Sequence, residues 1–313
     1  MPPKAGKGCG VIPILNASGC LDALTAPEVA RSLDAFVTKT VTPLPREGNA
    51  PVRIAETEAG MLNSIGLANP GIDRFLAETL PRLRSLERPL WVSVGGFCAS
   101  DYAHLCERLD PCEDVSTIEL NLSCPNVEEA PESAAEIVRA CREATGKPLY
   151  AKLSPALPDV AAAAVAVQSA GADGLSLVNT IRGLALDPGT LRPVLGTAAG
   201  GYSGPALRPI ALAAVFACAR ATELPIVGMG GVATGRDALE LVAAGARSVA
   251  LGTVLFSDPE APRRIRRELK AEAARVGLEC AADAVRAAHR DRGALDTLDS
   301  SLRVAPAKSL QIS

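Results

Sequence analysis

Polar side chains that could bind an anion or a hydrogen-bonding ring stand where short apolar runs of the sequence end. These positions are Asn16, Lys39, Asn121, Lys152 and Asn179. Any one of them could be a buried polar group that a neighbour satisfies, but five at equivalent positions are better explained by one shared pocket. Only seven of the 32 basic residues are lysines. Because a buried ammonium is costly without a partner, the two lysines at run ends predict an anionic ligand.

A candidate acid–base residue follows the fourth apolar run. Cys124 precedes Pro-Asn in a polar loop, whereas a given cysteine is most often a small buried hydrophobe. The two histidines, His104 and His289, lie in predicted helices among charged residues, so we predict both on the surface and no Cys-His dyad. Cys124 is therefore predicted to move a proton rather than to attack a carbonyl.

Glycine-rich segments follow the last two apolar runs. Gly228-Met229-Gly230-Gly231 comes after the seventh run and Gly252-Thr253 after the eighth. Taken alone, the first segment would often be only a tight turn. Loops after strands seven and eight of a barrel are habitual phosphate sites, because backbone N–H groups point at the anion there. The pair of segments therefore predicts a phosphate site.

The apolar runs themselves predict the elements that position these residues. The runs are residues 12–16, 35–41, 90–95, 117–123, 149–153, 174–179, 225–229 and 248–251. Helix-like stretches lie between them, among them residues 99–109, 131–144, 159–170, 205–221 and 235–244. Apolar runs without polar alternation suit parallel strands covered on both faces. Eight strands with intervening helices favour an α/β fold, a (β/α)₈ TIM barrel, over a doubly wound open sheet.

Two intervals between the runs are unusually long. Residues 42–88 and 181–203 are rich in Gly and Pro and follow strand ends. We interpret them as extended active-site loop insertions at the C-terminal face of the strands, where barrels carry their sites. The chain has 313 residues, a length that two domains could also explain. With no linker-like segment in view, we predict a single domain over residues 1–313.

Composition excludes several classes of function. Hydrophobic residues make up 48% and charged residues 21%, and the net charge of −3 leaves no basic surplus for nucleic acid. No apolar run reaches the roughly 20 residues of a membrane helix, and we predict neither a signal peptide nor a membrane partner. The nine cysteines are odd in number and lack CxxC spacing. They predict free thiols in a reducing cytoplasm and no metal or cluster within this chain.

Motifs in order along nearly the whole chain resemble the FMN-binding barrel of the dihydroorotate dehydrogenases, and more distantly the pyrimidine-reducing domain of dihydropyrimidine dehydrogenases. The matching segments are Asn-Ala-Ser-Gly at 16–19, Thr-Lys-Thr at 38–40, Arg-Glu-Gly-Asn at 46–49, Met-Leu-Asn-Ser-Ile-Gly-Leu-Ala-Asn-Pro-Gly at 61–71, Glu-Leu-Asn-Leu-Ser-Cys-Pro-Asn-Val at 119–127, Ala-Lys-Leu-Ser-Pro at 151–155, Val-Asn-Thr at 178–180, Gly-Gly-Tyr-Ser-Gly-Pro-Ala at 200–206 and Gly-Met-Gly-Gly-Val at 228–232.

Finer features resemble one class within that family. The cysteine at 124 is typical of class 1, since the membrane-associated class 2 carries serine there. The segments 45–49 and 55–66, and Phe-Ser-Asp-Pro at 256–259, resemble class 1B. This resemblance implies a homodimer that works with an electron-transfer subunit, on which FAD and a [2Fe–2S] cluster reside, and that uses NAD⁺.

The resemblance also implies roles for individual residues in the oxidation of dihydroorotate to orotate, a step of pyrimidine biosynthesis. Cys124 would take the C5 proton while hydride passes from C6 to the flavin N5 of FMN, and Lys152 would face the flavin N1–O2 edge. Residues implied to bind substrate are Lys39, Asn63, Ile65, Gly66, Leu67, Asn121, Asn126, Asn179 and Thr180. Residues implied to bind FMN are Ala17, Ser18, Gly19, Lys39, Thr40, Asn121, Lys152, Val178, Ser203, Gly204, Gly230, Gly231, Gly252 and Thr253.

One departure from the family pattern keeps other functions open. Family members carry a longer Gly-rich loop after the cysteine motif, whereas only residues 128–130 separate Val127 from Pro131 here. A first alternative is therefore an FMN-dependent oxidoreductase acting on another dihydropyrimidine. A second is a non-redox barrel that binds a phosphorylated ligand through its glycine loops. That second alternative leaves Cys124, Lys152 and the asparagines unexplained.

Overall fold

Short strands of buried residues alternate with helices in the computed structural model, which describes residues 10–122 and 133–290. The strands are β1 Ile14–Asn16, β2 Phe36–Val37, β3 Ile54–Thr57, β4 Gly60–Asn63, β5 Leu90–Val94, β6 Val115–Asn121, β7 Leu149–Leu153, β8 Gly174–Leu177, β9 Ile181–Leu184, β10 Ala199–Ser203, β11 Ile226–Met229 and β12 Ser248–Leu251. The α-helices are α1 Pro27–Arg31, α2 Gly71–Arg74, α3 Leu80–Leu83, α4 Ala99–Leu109, α5 Ala134–Ala144, α6 Val160–Ser169, α7 Arg208–Ala221, α8 Gly235–Ala244, α9 Val254–Ser257 and α10 Ala261–Arg275. Within the described ranges, no helix has the length and apolar character needed to cross a bilayer.

Eight of the strands form one parallel sheet, in the order β1-β12-β11-β8-β7-β6-β5-β2. A parallel bridge between Leu15 and Ala35 brings β1 beside β2, so the two ends of the sheet meet in a barrel. Helices cover the outer face and leave the strands buried on both sides, which explains their continuous apolar runs. The predicted (β/α)₈ barrel of the α/β class is confirmed.

The second barrel strand is shorter than its apolar run. Residues 35–41 predict one strand, but the structure has Phe36–Val37 followed by irregular backbone. The amides of Thr38 and Val41 still donate to β5, at 3.0 and 2.9 Å. The two residues between these bonds are freed from regular pairing, which lets the chain turn Lys39 toward the barrel mouth.

The two long intervals contribute strands that the sequence did not predict. β3 and β4 come from residues 42–88, β9 and β10 from residues 181–203, and together they form an antiparallel sheet in the order β3-β4-β10-β9. β10 reads Ala-Gly-Gly-Tyr-Ser, and glycine is depleted in strands. These segments are therefore organised as a small sheet rather than as irregular loops.

The core has an outer and an inner part. The outer part packs large aliphatic side chains between strands and helices, such as Leu105, Ile118 and Leu149. The inner part fills the barrel with smaller residues, such as Val37, Val227 and Ala250. Its base is closed by two aromatic rings whose centroids lie 4.5 Å apart, those of Trp91 and Tyr150. Only 3% of the residues are aromatic. One aromatic pair is enough here because it closes the base, and smaller side chains fill the rest of the barrel interior.

A close approach of α8 and α10 makes one glycine structurally necessary. A Cβ added at Gly235 would lie 2.3 Å from the backbone nitrogen of Leu269 and 2.4 Å from the carbonyl carbon of Glu268. Backbone cannot yield as a flexible side chain does, so we expect Gly235→Ala to lower the free energy of unfolding by about 1–3 kcal/mol. Denaturant unfolding measures this loss. Gly146→Ala is the matched control, since nothing lies within 4 Å of its added Cβ, and equal losses in both variants would contradict the packing described.

Candidate active site

A cavity of about 490 Å³ lies at the C-terminal ends of the barrel strands. Its volume is within the roughly 300–1,000 Å³ of small-molecule sites. Loops after the barrel strands form its floor and one wall, and residues of the antiparallel sheet, such as Met61 and Gly200, line another side. The two intervals interpreted as active-site insertions therefore both reach the cavity.

The structure brings the predicted site residues together. Those within the described ranges that line this cavity are Ala17, Ser18, Gly19, Lys39, Thr40, Asn63, Ile65, Gly66, Leu67, Asn121, Lys152, Val178, Asn179, Thr180, Ser203, Gly204, Gly230, Gly231, Gly252 and Thr253. Cys124 and Asn126 lie outside the described residues. For the residues that end barrel strands, convergence on one cavity was expected, because the carboxyl ends of barrel strands share one face. The individual roles remain predictions.

Lys152 projects from β7 to the cavity floor. Its side chain is only 5% exposed, and its Nζ donates a hydrogen bond of 2.9 Å to Ser18 Oγ. Burial lowers the pKa of the other cavity lysine, Lys39, with the Cys20 thiol opposing and the Lys152 ammonium reinforcing the effect. Two ammonium groups close enough to interact in a buried site are mutually unfavourable without an anion. Glu119 Oε1 lies 3.7 Å from Lys152 Nζ, so the two lysines leave a net positive charge at the floor, which suits a negatively charged ligand.

A chain of side-chain hydrogen bonds holds the polar groups above this floor. Asn179 Nδ2 donates to Asn121 Oδ1 at 3.0 Å, and Asn121 Nδ2 donates to Thr40 Oγ1 at 3.3 Å. The Thr40 hydroxyl also bonds to Ser93 Oγ at 3.1 Å, inside the barrel. Such a network fixes the orientation of each amide before a ligand arrives. An amide offers both a donor and an acceptor, which a pyrimidine ring with alternating N–H and C=O groups requires.

The glycine segments after β11 and β12 form another part of the cavity wall. Gly230 and Gly231 both have positive φ, 118° and 76°, conformations that glycine adopts readily and that allow the backbone to approach a ligand closely. The turn that follows is fixed by the buried Asp237 carboxylate, which accepts bonds from Ala233 N at 3.0 Å and Thr234 N at 2.8 Å. Gly230, Gly231, Gly252 and Thr253 all line the cavity, and the phosphate site stays a prediction.

Several cavity residues escaped the sequence prediction. Cys20 directly follows the Asn-Ala-Ser-Gly segment, and Arg182 follows Val-Asn-Thr by two residues; proximity to a predicted motif was the available signal for both. Burial raises the pKa of Cys20, against the opposing effect of Lys152 and then Lys39. Cys20 therefore keeps its proton at neutral pH, which makes it a poor base. The other residues missed are Asn49, Ile54, Met61, Ser64, Thr197, Ala199, Gly200, Gly201, Pro205, Leu207, Met229, Val232, Ala233, Val254, Phe256 and Ser257.

The charge of the cavity has one sign. Lys39, Lys152 and Arg182 line it, and no Asp or Glu is among the lining residues that the structure describes. Neither histidine lines it. His104 is exposed on α4, whereas His289, predicted on the surface, stacks on Phe216 at 4.1 Å and contacts Ala244 O at 2.7 Å. A cationic cavity rich in amides and glycine suits an anionic, hydrogen-bonding ligand together with a phosphate.

Comparisons with known proteins point to one enzyme family. Residues 11–272 match the sequence model of the dihydroorotate dehydrogenase family. A protein of Desulforudis audaxviator named dihydroorotate dehydrogenase B (NAD(+)), catalytic subunit, is 43% identical over 90% of this chain and 95% of the relative. A protein of the same name from Latilactobacillus sakei is 45% identical over 85% and 91% of the two chains.

A solved structure shares the fold. The crystal structure of DHODH from Eimeria tenella in complex with ferulenol superposes with a TM-score of 0.75, covering 89% of this chain and 86% of that one. At 23% sequence identity this likeness carries the fold alone. The match of the family model and the identity to curated relatives go further. The chain belongs to the dihydroorotate dehydrogenase family, and its likeness is to the class 1B enzymes.

Proposed function

We propose that this protein oxidises dihydroorotate to orotate in pyrimidine biosynthesis, with FMN bound in the barrel-mouth cavity. The observation that carries the proposal is the cavity itself, which combines cations, hydrogen-bonded amides and the glycine segments that follow the last two barrel strands, without a carboxylate among its described lining residues. Family membership supports a flavin-dependent oxidoreductase acting on a CH–CH bond. Bound FMN would supply the acceptor for the hydride that leaves the substrate.

The cavity residues fit FMN. The positive-φ pair Gly230 and Gly231, with Gly252 and Thr253, would hold the phosphate. The floor around Lys152 would lie along the ring edge, where an ammonium stabilises charge gained on reduction. Residues proposed to complete the FMN site are Ala17, Ser18, Gly19, Lys39, Thr40, Asn121, Val178, Ser203 and Gly204.

The substrate would lie beside this floor. Asn63, Asn121 and Asn179 would hold its amide groups, and Lys39 would bind its carboxylate. Asn63 is fixed in place because its Nδ2 donates to Gly201 O on β10 at 3.2 Å. Ile65, Gly66, Leu67 and Thr180 would complete the substrate side, together with Asn126, and Cys124 would remove the C5 proton; these last two lie outside the described residues.

Anaerobic reduction of bound flavin tests the proposal. We expect the purified protein loaded with FMN to lose its oxidised-flavin absorbance when dihydroorotate is added. Dihydrouracil lacks the carboxylate for Lys39, so it should bleach the flavin far more slowly. A preparation that takes up no FMN would contradict the proposal, and binding of inorganic phosphate alone would favour a non-redox barrel. Faster bleaching by dihydrouracil would favour another dihydropyrimidine as substrate.

The relatives' printed name supports a partner. They are called catalytic subunits of an NAD(+) enzyme, and we propose that this chain likewise forms a homodimer that passes electrons to a subunit carrying FAD and a [2Fe–2S] cluster. Turnover with NAD⁺, fumarate and a quinone analogue, with and without co-purified proteins, tests this. NAD⁺ reduction that requires a co-purified flavoprotein supports the proposal, whereas equal turnover with fumarate by the isolated chain contradicts it. Sedimentation gives the oligomeric state.

The lowered pKa of Lys39 predicts how binding of an anionic ligand depends on pH. The ammonium is present below that pKa, which lies under 10.5, and the attraction to a carboxylate is lost as the pH rises through it. Orotate binding to the FMN-loaded protein should therefore weaken with rising alkaline pH, by at most about tenfold per unit. Titrations from neutral to alkaline pH measure this.

Lys39→Met is the matched control for that pH dependence. Both proteins meet the same ligand, so the ligand's own titration cancels in the ratio of their dissociation constants. Wild type should bind orotate more tightly at neutral pH, and its advantage should shrink as the pH rises. A constant ratio across the range would remove Lys39 from carboxylate binding.

A further inference from the structure

A carboxylate lies inside the barrel, directly beneath the candidate active site. Glu119 is on β6, opposite Ser93 of β5 and Tyr150 of β7 in the strand register, and its side chain is 2% exposed. It is not among the residues that line the cavity. Burial of an ionised carboxylate is strongly unfavourable unless a positive charge or several donors compensate it. A specific partner is therefore needed within the barrel.

That partner is Lys152. Its Nζ lies 3.7 Å from Glu119 Oε1, and both side chains are at most 5% exposed. The separation is too long for a strong hydrogen bond, and no hydrogen bond to this oxygen is recorded among the described residues. The contact is therefore mainly an attraction between charges, which water screens little at this depth. From the cavity side, Ser18 Oγ accepts from the same Nζ at 2.9 Å.

Stability alone explains this arrangement poorly. Buried ion pairs are often replaceable by apolar residues without loss of stability, because desolvation offsets the attraction. The layers of the barrel below are filled in that way, by residues such as Val37 and Val227. A second polar group, Ser176 Oγ, which lies opposite Lys152 in the strand register, is also buried without a hydrogen-bond partner in the described part of the chain. The Glu119–Lys152 pair lies directly under the cavity, and of the two residues only Lys152 lines it. This position indicates that the pair has a function at the cavity.

We propose that Glu119 is a positioning residue for the proposed dihydroorotate oxidation, holding the Lys152 ammonium directed at the cavity floor. The inference rests on the proposed function, since it concerns the flavin that Lys152 would contact. In this proposal Glu119 affects the flavin through Lys152. The alternative is that Glu119 affects the flavin directly through its own negative charge. These two alternatives predict opposite effects on the flavin midpoint potential.

The sign follows from electrostatics. If Glu119 were only a nearby negative charge, Glu119→Gln would make the cavity more positive and the reduced, anionic flavin easier to form, so the potential would rise. If Glu119 holds the ammonium in place, its loss lets Lys152 turn away from the cavity floor. The reduced flavin then loses its counter-charge, and the potential falls.

The experiment compares midpoint potentials of the FMN-loaded wild type, Glu119→Gln, Glu119→Asp, Lys152→Met and the double variant. We expect Glu119→Gln to lower the equilibrium constant for two-electron reduction by at least about tenfold, which corresponds to about 30 mV. Glu119→Asp keeps the charge with a shorter reach and should lie between wild type and Glu119→Gln. In the Lys152→Met background, Glu119→Gln should change this equilibrium constant less than about twofold. The reason is that the effects of substitutions at two contacting residues do not add when one residue acts through the other.

Each other outcome has a defined meaning. An unchanged or higher potential in Glu119→Gln overturns the proposal, as does an equal drop in both backgrounds. If Glu119→Gln does not fold, Glu119→Asp provides the test. Its midpoint potential must then be lower than that of wild type for the proposal to stand. Glu107→Gln, on the exposed face of α4, is the matched control and should match wild type. If wild type takes up no FMN, the proposed function has failed instead.

Discussion

Lys152→Met is expected to slow reduction of bound flavin by dihydroorotate by about 10²–10³-fold, the cost of removing one preorganised charge or donor from a transition state. The lysine is buried at the cavity floor and fixed by Ser18 and Glu119, so it cannot be replaced by a mobile neighbour. Methionine keeps much of the side-chain volume and removes the charge together with the hydrogen bond to Ser18. Stopped-flow absorbance under anaerobic conditions measures the rate at saturating dihydroorotate.

The matched control for this loss is Lys270→Met, which removes an exposed charge on α10 and should leave the rate unchanged. Because Lys152→Met leaves the Glu119 charge uncompensated, part of the loss could reflect instability. Thermal unfolding of each variant and its FMN dissociation constant separate the two effects. A folded, FMN-bound Lys152→Met protein that reduces at the wild-type rate would remove Lys152 from the reaction.

The barrel and most of its described site could be predicted because each depends on local signals. Continuous apolar runs without alternation require strands covered on both faces, and β7 and β12 have the predicted bounds. Polar residues at strand ends, such as Lys152 and Asn179, must then share the C-terminal face. The family resemblance added the residues of the antiparallel sheet, such as Asn63, that strand-end reasoning alone does not reach.

What could not be predicted depends on pairing and depth. β10 carries two glycines, Gly200 and Gly201, so its propensity for strand is low, and only its neighbours β4 and β9 make it one. In the sequence, Glu119 is one polar residue within a predicted strand. The neighbouring residues do not predict that its side chain faces the barrel interior beneath Lys152. Long-range contacts decide both features, and no pattern along the chain encodes them directly.

Two cysteines are candidates for the base, Cys20 from its place in the cavity lining and Cys124 from its sequence motif. Cys20 lines the cavity, but burial raises the pKa of its thiol, so it is a poor proton acceptor at neutral pH. Cys124 lies outside the described residues, and its proposed role comes from the sequence motif. Assigning the base to one of the two thiols therefore requires a direct test by substitution.

Cys124→Ser is expected to slow bleaching of bound flavin by dihydroorotate by about 10²–10⁴-fold at neutral pH, the usual contribution of a general base. Serine keeps the size of the side chain, but its hydroxyl gives up a proton far less readily than a thiol. FMN affinity should stay at the wild-type level, because the proposed role is toward the substrate C5 proton. Cys98→Ser, at the start of α4 and away from the cavity lining, is the matched control. Cys20→Ser should slow bleaching much less than Cys124→Ser does. The reverse order would assign the base to Cys20. An unchanged bleaching rate in Cys124→Ser would remove that residue from the mechanism.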